Sequence, residues 1–530
     1  MKQFFRPLVA VGLLFVVVSC SDDDDVVVDN TPVLDPVVVT SGTADFSTYV
    51  ALGNSLTAGY SDNALFTAGQ ENSFPNMLAG QFALAGGGDF DIPFMADNLG
   101  GMSLGGQVVA GNRLILSFAS GSPAPVVKDT VTFATDVAQT LTGSFNNMGV
   151  PGAKSFHLRV PGYGNVAGVA TGQANPYFVR FASNPNATIL EDAVAQNPTF
   201  FSLWIGNNDV LAYVVDGGAG ADQTGNLDAA TYGGSDISDP MVVAGSIQEI
   251  LTQLTANGAK GVVANLPDVG TIPFVNTVPF APLSPANPEF AAQIPTINAQ
   301  LAGLNQAFDA LQVPERKIVY SETEASPVLI FDEDIPDLST ALFQVLQLGG
   351  LDEATAFVLS TIYGQCRPAT AADKLVLTSQ TIIAQTNQEA LAFLLGLGVP
   401  QELAESASVN GITWPLEDKW VLTPQEQAIA NTALNAYNEL IEGLATTFDV
   451  AFVDANTLLS TVNDTGITLS DGSVVTGTFA TGGGFSLDGV HPSPRGYAIL
   501  ANAFAEAINA KYGATLPGVD PTDFTGLYID

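Results

Sequence analysis

Tyr49-Val50-Ala51-Leu52-Gly53-Asn54-Ser55-Leu56-Thr57-Ala58-Gly59-Tyr60 is the stretch on which the fold turns. An apolar run without alternation that stops at a glycine reads as a short strand covered on both faces, as in a parallel sheet. Three further runs read the same way: Thr199-Phe200-Phe201-Ser202-Leu203-Trp204-Ile205, Lys260-Gly261-Val262-Val263-Ala264-Asn265 and Val450-Ala451-Phe452-Val453. Helical spacing falls between and after them. Met241 to about Asn257 carries Val243, Ile247, Ile250, Leu251 and Leu254 on one stripe. Thr423-Pro424-Gln425-Glu426 is a capping box with proline at the first helical position, opening a helix to about Thr446. Ser493-Pro494 opens a last helix, with Tyr497, Leu500, Ala501, Phe504 and Ile508 on one side and Gly513 as its stop. Strands alternating with helices predict an α/β fold: a three-layer, doubly wound parallel sheet.

Two stretches depart from this rhythm and read as insertions. Residues from about 65 to 143 are rich in Gly and Ala, with one short strand candidate at Arg113-Leu114-Ile115-Leu116. Residues 324–420 read as helices (Ala341 to Leu348, Glu353 to Ile362, Gln388 to Leu397), a helical insertion placed to form a cap over a site or a satellite core. The core is therefore expected in two parts, 46–323 and 421–530.

The N-terminus reads as a targeting segment. Lys2 and Arg6 precede the apolar stretch Leu8–Val18, which is short for a membrane span and ends in Ser19-Cys20. This resembles a bacterial lipobox, with residues 1–19 as the signal peptide and Cys20 as the lipidated N-terminus. Ser21-Asp22-Asp23-Asp24-Asp25 opens an acidic tether over 20–45 and is similar to the surface-export signal of some Gram-negative lipoproteins. The expectation is an exported protein held to the outer membrane or cell surface by its lipid. Cys366 is the only other cysteine, so a lipidated Cys20 leaves no pair for an intrachain disulfide. Cys366 itself reads as a small, half-buried residue.

The 530 residues carry 15 Lys+Arg against 53 Asp+Glu, a net charge of −38. Nucleic-acid binding rests on basic patches, so this balance argues against it. With 47% hydrophobic residues the chain can build a sizeable core. No His/Cys/carboxylate cluster suggests a metal. The Gly- and Asp-rich loop Asp216–Asp239 fits no calcium-loop spacing. No phosphate-binding loop is present, so neither metal nor cofactor is expected.

Ser55 stands on a tight turn after a strand. A serine hydroxyl becomes a useful nucleophile when a base takes its proton and a third group orients that base. The chain has only two histidines, His157 and His491, and only His491 has a carboxylate close by in sequence, in Asp488-Gly489-Val490-His491-Pro492. His157 reads as structural or as a pocket wall. Taken singly, Ser55 and Asn208-Asp209 read equally well as helix caps and Asp488 as a turn residue. Their order along the chain separates the readings: Ser55, then Asn147-Met148-Gly149-Val150-Pro151-Gly152-Ala153, then Gly206-Asn207-Asn208-Asp209, then Asp488 and His491.

That series resembles the conserved blocks of the GDSL/SGNH hydrolases, an esterase/lipase superfamily, over roughly 46–270 and 423–512. The resemblance implies an SGNH-type, flavodoxin-like α/β fold. It further implies Ser55 as nucleophile, His491 as base and Asp488 as its orienting carboxylate. The oxyanion would be held by the Ser55 and Gly152 N–H groups and the Asn208 side-chain amide. Asn54 departs from the pattern, which usually has aspartate there; its role is to support the turn. The implied activity is hydrolysis of carboxylic esters, with lipid, acyl or other hydrophobic esters favoured and carbohydrate deacetylation as the alternative. A non-catalytic surface-binding lipoprotein is the competing class. Expected partners are a small-molecule or lipid ester and, through the N-terminal lipid, a membrane.

Overall fold

Five strands pair into one parallel sheet: β1 (Tyr49–Gly53), β2 (Asn147–Gly149), β3 (Phe200–Trp204), β4 (Lys260–Ala264) and β5 (Ala451–Val453). Their order across the sheet is β2-β1-β3-β4-β5. The computed structural model describes residues 38–118 and 124–528, so the leader, Cys20 and most of the acidic tether lie outside the described residues. The sheet and its helices make a mixed α/β fold with a parallel central sheet.

Register decides where the chemistry can sit. Gly53 pairs with Gly149 on one side and with Trp204 on the other. The carboxyl ends of β1, β2 and β3 therefore finish level, and the loops that follow them start side by side. Gly53 lets the first loop turn at once. A Cβ there would lie 2.1 Å from Thr57 Oγ1 and 2.4 Å from the Trp204 carbonyl oxygen.

The helices used below are α1 (Ser55–Ala58), α2 (Phe74–Leu84), α3 (Asn208–Val215), α4 (Pro240–Thr255), α5 (Pro288–Ala310), α6 (Ser339–Leu348), α7 (Glu353–Tyr363), α8 (Gln388–Gly396), α9 (Gln401–Ala407), α10 (Pro424–Thr447), α11 (Ala455–Asp464) and α12 (Pro494–Tyr512). The expected capping box opens α10, and Gly513 ends α12 in the left-handed conformation. α2 packs with α12, and α4 with α10. Every residue of β1 and β3 is buried. Phe200 meets Phe46 edge-on at 4.9 Å and Phe82 at 5.4 Å, and Phe504 of α12 stacks on Phe74 of α2 at 4.6 Å. Among the described residues no helix is long and apolar enough to cross a membrane.

A second apolar core lies under the helical insertion. It joins Ile294, Leu301, Leu304 and Phe308 of α5 to Leu342 and Leu346 of α6 and Leu394 of α8. This cluster begins at Val278, whereas the sequence placed the end of the first core part at 323. The difference is α5, 23 residues long with Pro295 inside it, whose prolines and polar residues mask its apolar stripe. Cys366 sits fully buried in this second core, and burial pushes its thiol pKa up. In the 65–143 region the strand candidate is one arm of a hairpin, Leu114–Ser117 against Ala124–Val127.

Phe200 touches the sheet, α2 and the N-terminal segment at once. Phe200→Ala should cost about 3–5 kcal/mol through the lost burial and the cavity left behind. The check is the urea midpoint; an unchanged midpoint would show that Phe200 does not tie these layers together.

Candidate active site

The three level loops and one distant loop meet at Ser55. Ser55 opens α1, and Asn54 caps that helix by accepting a hydrogen bond from the Leu56 N–H at 3.0 Å. Asn54 is fully buried, and its Nδ2 donates to Asn207 Oδ1 at 2.9 Å, tying the β1 loop to the β3 loop. Asn54 thus holds the turn.

His491 Nε2 lies 2.9 Å from Ser55 Oγ, and its Nδ1 lies 2.9 Å from Asp488 Oδ2. Asp488 is buried, and burial alone would raise its pKa. The His491 ring and the N–H groups of His491 and Val490 outweigh that, holding it at about 2. Asn63 N–H donates to Oδ2 as well, at 2.9 Å. An ionised Asp488 fixes the proton on Nδ1 and leaves Nε2 free to accept from the serine hydroxyl. The Tyr60 ring covers the imidazole at 4.6 Å.

Gly152 follows β2 with φ +79°, a conformation that favours glycine. Among the described residues the N–H groups of Ser55 and Gly152 have no hydrogen-bond acceptor. Asn208 Nδ2 donates one hydrogen to the Ala153 carbonyl at 2.9 Å, which orients the amide and leaves its second hydrogen available. The structure therefore brings together Ser55, Gly152, Asn208, Asp488 and His491.

Asp209 locks two of these loops to each other. Its carboxylate accepts from the Ser155 N–H at 2.7 Å and the Ser155 hydroxyl at 2.9 Å, fixing the Gly152 loop against α3. Asp209 is fully buried, and burial pushes its pKa up. From sequence it read as a helix cap. Asp62 is the second residue whose role was not legible. Its Oδ1 accepts from the Leu487 N–H at 2.9 Å, and its Oδ2 lies 3.5 Å from Nη1 of buried Arg113. Arg113 belongs to the first insertion, so no local signal could connect it to the site. His157 stays apart. Its Nδ1 accepts from the Lys154 N–H, its ring stacks on Tyr163, and burial, with the Lys154 charge, lowers its pKa to about 4.

Two hollows meet at Ser55, Asn208 and His491. A small apolar one of about 100 Å³ runs between Trp204, Leu459, Val462 and Ile499. A wider one of about 890 Å³ is bounded by Tyr60, Gly152, Lys154 and Phe274. Of the helical insertion, only Leu377, Thr378, Gln380 and Thr381 reach its wall, and no residue of α6 to α9 lines it. Of the leucines and valine that give the insertion helices their apolar spacing, Leu342, Leu346 and Leu394 are buried in the second core, Val345 and Leu391 pack against it half-buried, and Leu395 is exposed.

Comparison of the chain with protein-family models, with curated proteins and with solved structures finds no match.

Asp209→Ala would leave the Ser155 N–H and hydroxyl without their buried acceptor. The expected loss is about 1–3 kcal/mol in urea unfolding. Asp209→Asn keeps an acceptor and should cost less. Equal losses from both would mean that the carboxylate's hydrogen bonds do not hold the loop.

Proposed function

We propose that the protein is a serine hydrolase of the GDSL/SGNH type that cleaves carboxylic esters through an acyl-enzyme. The observation that carries this reading is the unbroken chain Asp488–His491–Ser55, with both links at 2.9 Å, in a cleft that Gly152 and Asn208 also line and where the Ser55 and Gly152 N–H groups have no acceptor among the described residues. The strand order β2-β1-β3-β4-β5 supports the flavodoxin-like, doubly wound form of the fold, in which sites lie at the carboxyl ends of the strands.

In this mechanism Ser55 Oγ attacks the ester carbonyl while His491 Nε2 takes its proton. The carbonyl oxygen becomes an oxyanion held by the Ser55 and Gly152 N–H groups and the Asn208 amide. Collapse breaks the ester C–O bond, and His491 returns the proton to the departing alcohol. Water, deprotonated by His491, then attacks the acyl-serine. The second collapse breaks the acyl–Oγ bond and frees the carboxylic acid, and His491 returns its proton to Ser55 Oγ. Asp488 keeps the imidazole in the tautomer this cycle needs and stabilises its charged form.

The small apolar hollow suits the acyl chain, and the wide mixed cleft suits the alcohol. At about 100 Å³ the former is smaller than the roughly 150 Å³ cavity that holds benzene, so short acyl chains are favoured over long ones. The lipid anchor at Cys20 and the surface location belong to this same proposal and rest on the leader sequence alone.

A fluorophosphonate probe with peptide mapping tests the assignment. Ser55 should be the labelled residue, and Ser55→Ala or His491→Ala should nearly abolish turnover of p-nitrophenyl esters. Label on another serine, or wild-type rates in folded Ser55→Ala, would refute it. Asn208→Ala should lower kcat by about 10²–10³, the usual effect of losing one oxyanion donor. A p-nitrophenyl series should peak at short acyl chains; a peak at long chains would remove the small hollow from the acyl role.

The pH dependence follows from Asp488. Its folded pKa, about 2, lies below the ordinary 3.8, so its stabilising effect is complete above the ordinary value and is lost as pH falls through about 2. In Asp488→Asn, unfolding should lose that strongly acid component, read from urea midpoints between pH 2 and 5.

A further inference from the structure

Glu333, Asp418 and Glu426 line neither hollow, yet one carboxylate oxygen from each lies within 4.8 Å of the other two. They come from three places in the chain. Glu333 follows the short strand Leu329–Phe331 in the insertion, Asp418 opens the turn by which the chain leaves it, and Glu426 stands in the first turn of α10. Three acidic groups on a surface would need no explanation. Glu426 is not on the surface: it is only 2% exposed. Its Oε2 accepts from the Thr423 N–H at 2.6 Å, closing the capping box. Its Oε1 is buried and has no hydrogen-bond partner among the described residues.

An unpartnered buried carboxylate oxygen is costly, and the neighbourhood makes it more so. The backbone closes over it at Gly218, φ +93°, where a Cβ would fall 2.3 Å from Oε1. Among the described residues, none of the three carboxylates forms an ion pair with Lys or Arg. Lys419, next to Asp418, pairs with Glu417 instead. Burial raises the pKa of both Asp418 and Glu426; the Glu333 charge raises Asp418 further while a hydrogen bond with the Glu426 carboxyl lowers it, and the charges of Asp418 and Glu333 raise Glu426 against the lowering effect of its Thr423 hydrogen bonds. As anions the three groups lack a counter-charge.

We propose that Glu333, Asp418 and Glu426 bind one calcium ion that fastens the helical insertion to α10. The donors are all hard oxygens, which selects calcium or magnesium over the softer transition metals. Glu333 is exposed and Asp418 half-buried, so water can complete a large, irregular coordination shell. Magnesium demands a tighter octahedron and gives up its own water reluctantly, which favours calcium. The ion supplies Glu426 Oε1 with its missing partner and turns mutual repulsion into shared attraction. The rival arrangement is a proton shared between Asp418 and Glu426.

The test uses the whole protein, stripped with a chelator and then dialysed against radioactive calcium at neutral pH. One calcium per chain is expected to bind. Calcium at about a hundred times its Kd should raise Tm by about 2–5 °C, and equal magnesium should do less. Glu333→Gln, an exposed change that the fold tolerates, should weaken calcium binding at least tenfold. Glu426→Gln should abolish the calcium response and raise Tm above that of the stripped wild type, because one buried charge is gone. No bound calcium, or calcium bound equally well by Glu333→Gln and Glu426→Gln, would overturn the proposal. So would a stripped-protein Tm that falls between pH 6 and 8 and does not respond to calcium at either pH, the signature of a shared proton.

Discussion

Asp488 is a carboxylate taken out of water, and the arrangement of the site follows from what that requires. A buried charge is tolerated only when it is hydrogen-bonded and paired. Asp488 accepts from the N–H groups of Asn63, Val490 and His491 and from the His491 ring. Those donors come from opposite ends of the sequence, so satisfying one carboxylate brings the loop after α1 onto the loop before α12. Asp62, next to Asn63, makes the reverse connection by accepting from the Leu487 N–H, and Arg113 of the first insertion faces it. Placing His491 beside Ser55 is thus part of a wider closure, in which each buried acid is answered by backbone donors from another segment.

The sheet supplies the other half of the constraint. Because β1, β2 and β3 end in register, Ser55, Gly152 and Asn208 need no long excursions to converge. Asn54 to Asn207 and Asn208 to Ala153 are then short polar crosslinks between loops that are already neighbours. Asp209 adds a third. The elements that hold these donors still are buried side chains one or two residues away from the ones that would do chemistry.

Much of this was legible in the sequence, for physical reasons. Short continuous apolar runs rich in β-branched and aromatic residues suit strands buried on both faces, and four of the five central strands were found that way. β2 was not, because Asn147-Met148-Gly149 is too short and too polar to announce itself. The helices with clean caps, α10 and α12, were bounded to within a residue or two. α5 was missed because prolines interrupt its pattern while tertiary burial still holds it helical. Scarcity made the pairing of Ser55 with His491 and Asp488 legible: with two histidines and one nearby carboxylate, few pairings existed. Asp62 and Arg113 were beyond reach, since nothing in a sequence shows that residues fifty positions apart share a buried contact. The acidic cluster around Glu426 was hidden for the same reason, as its members come from three separate elements.

The second apolar core has a consequence for how the molecule opens. The chain leaves the sheet region near Val278 and returns by Val421, and between those points the buried apolar residues mainly pack against one another. Such a unit can lose its structure as a block while β1 to β5 remain paired. Amide exchange would then occur on two levels, with α5 to α9 exchanging together through a partial opening and the strands exchanging only when the whole chain unfolds. Evolution could therefore alter the length and composition of that block without disturbing the register on which Ser55, Gly152 and Asn208 depend.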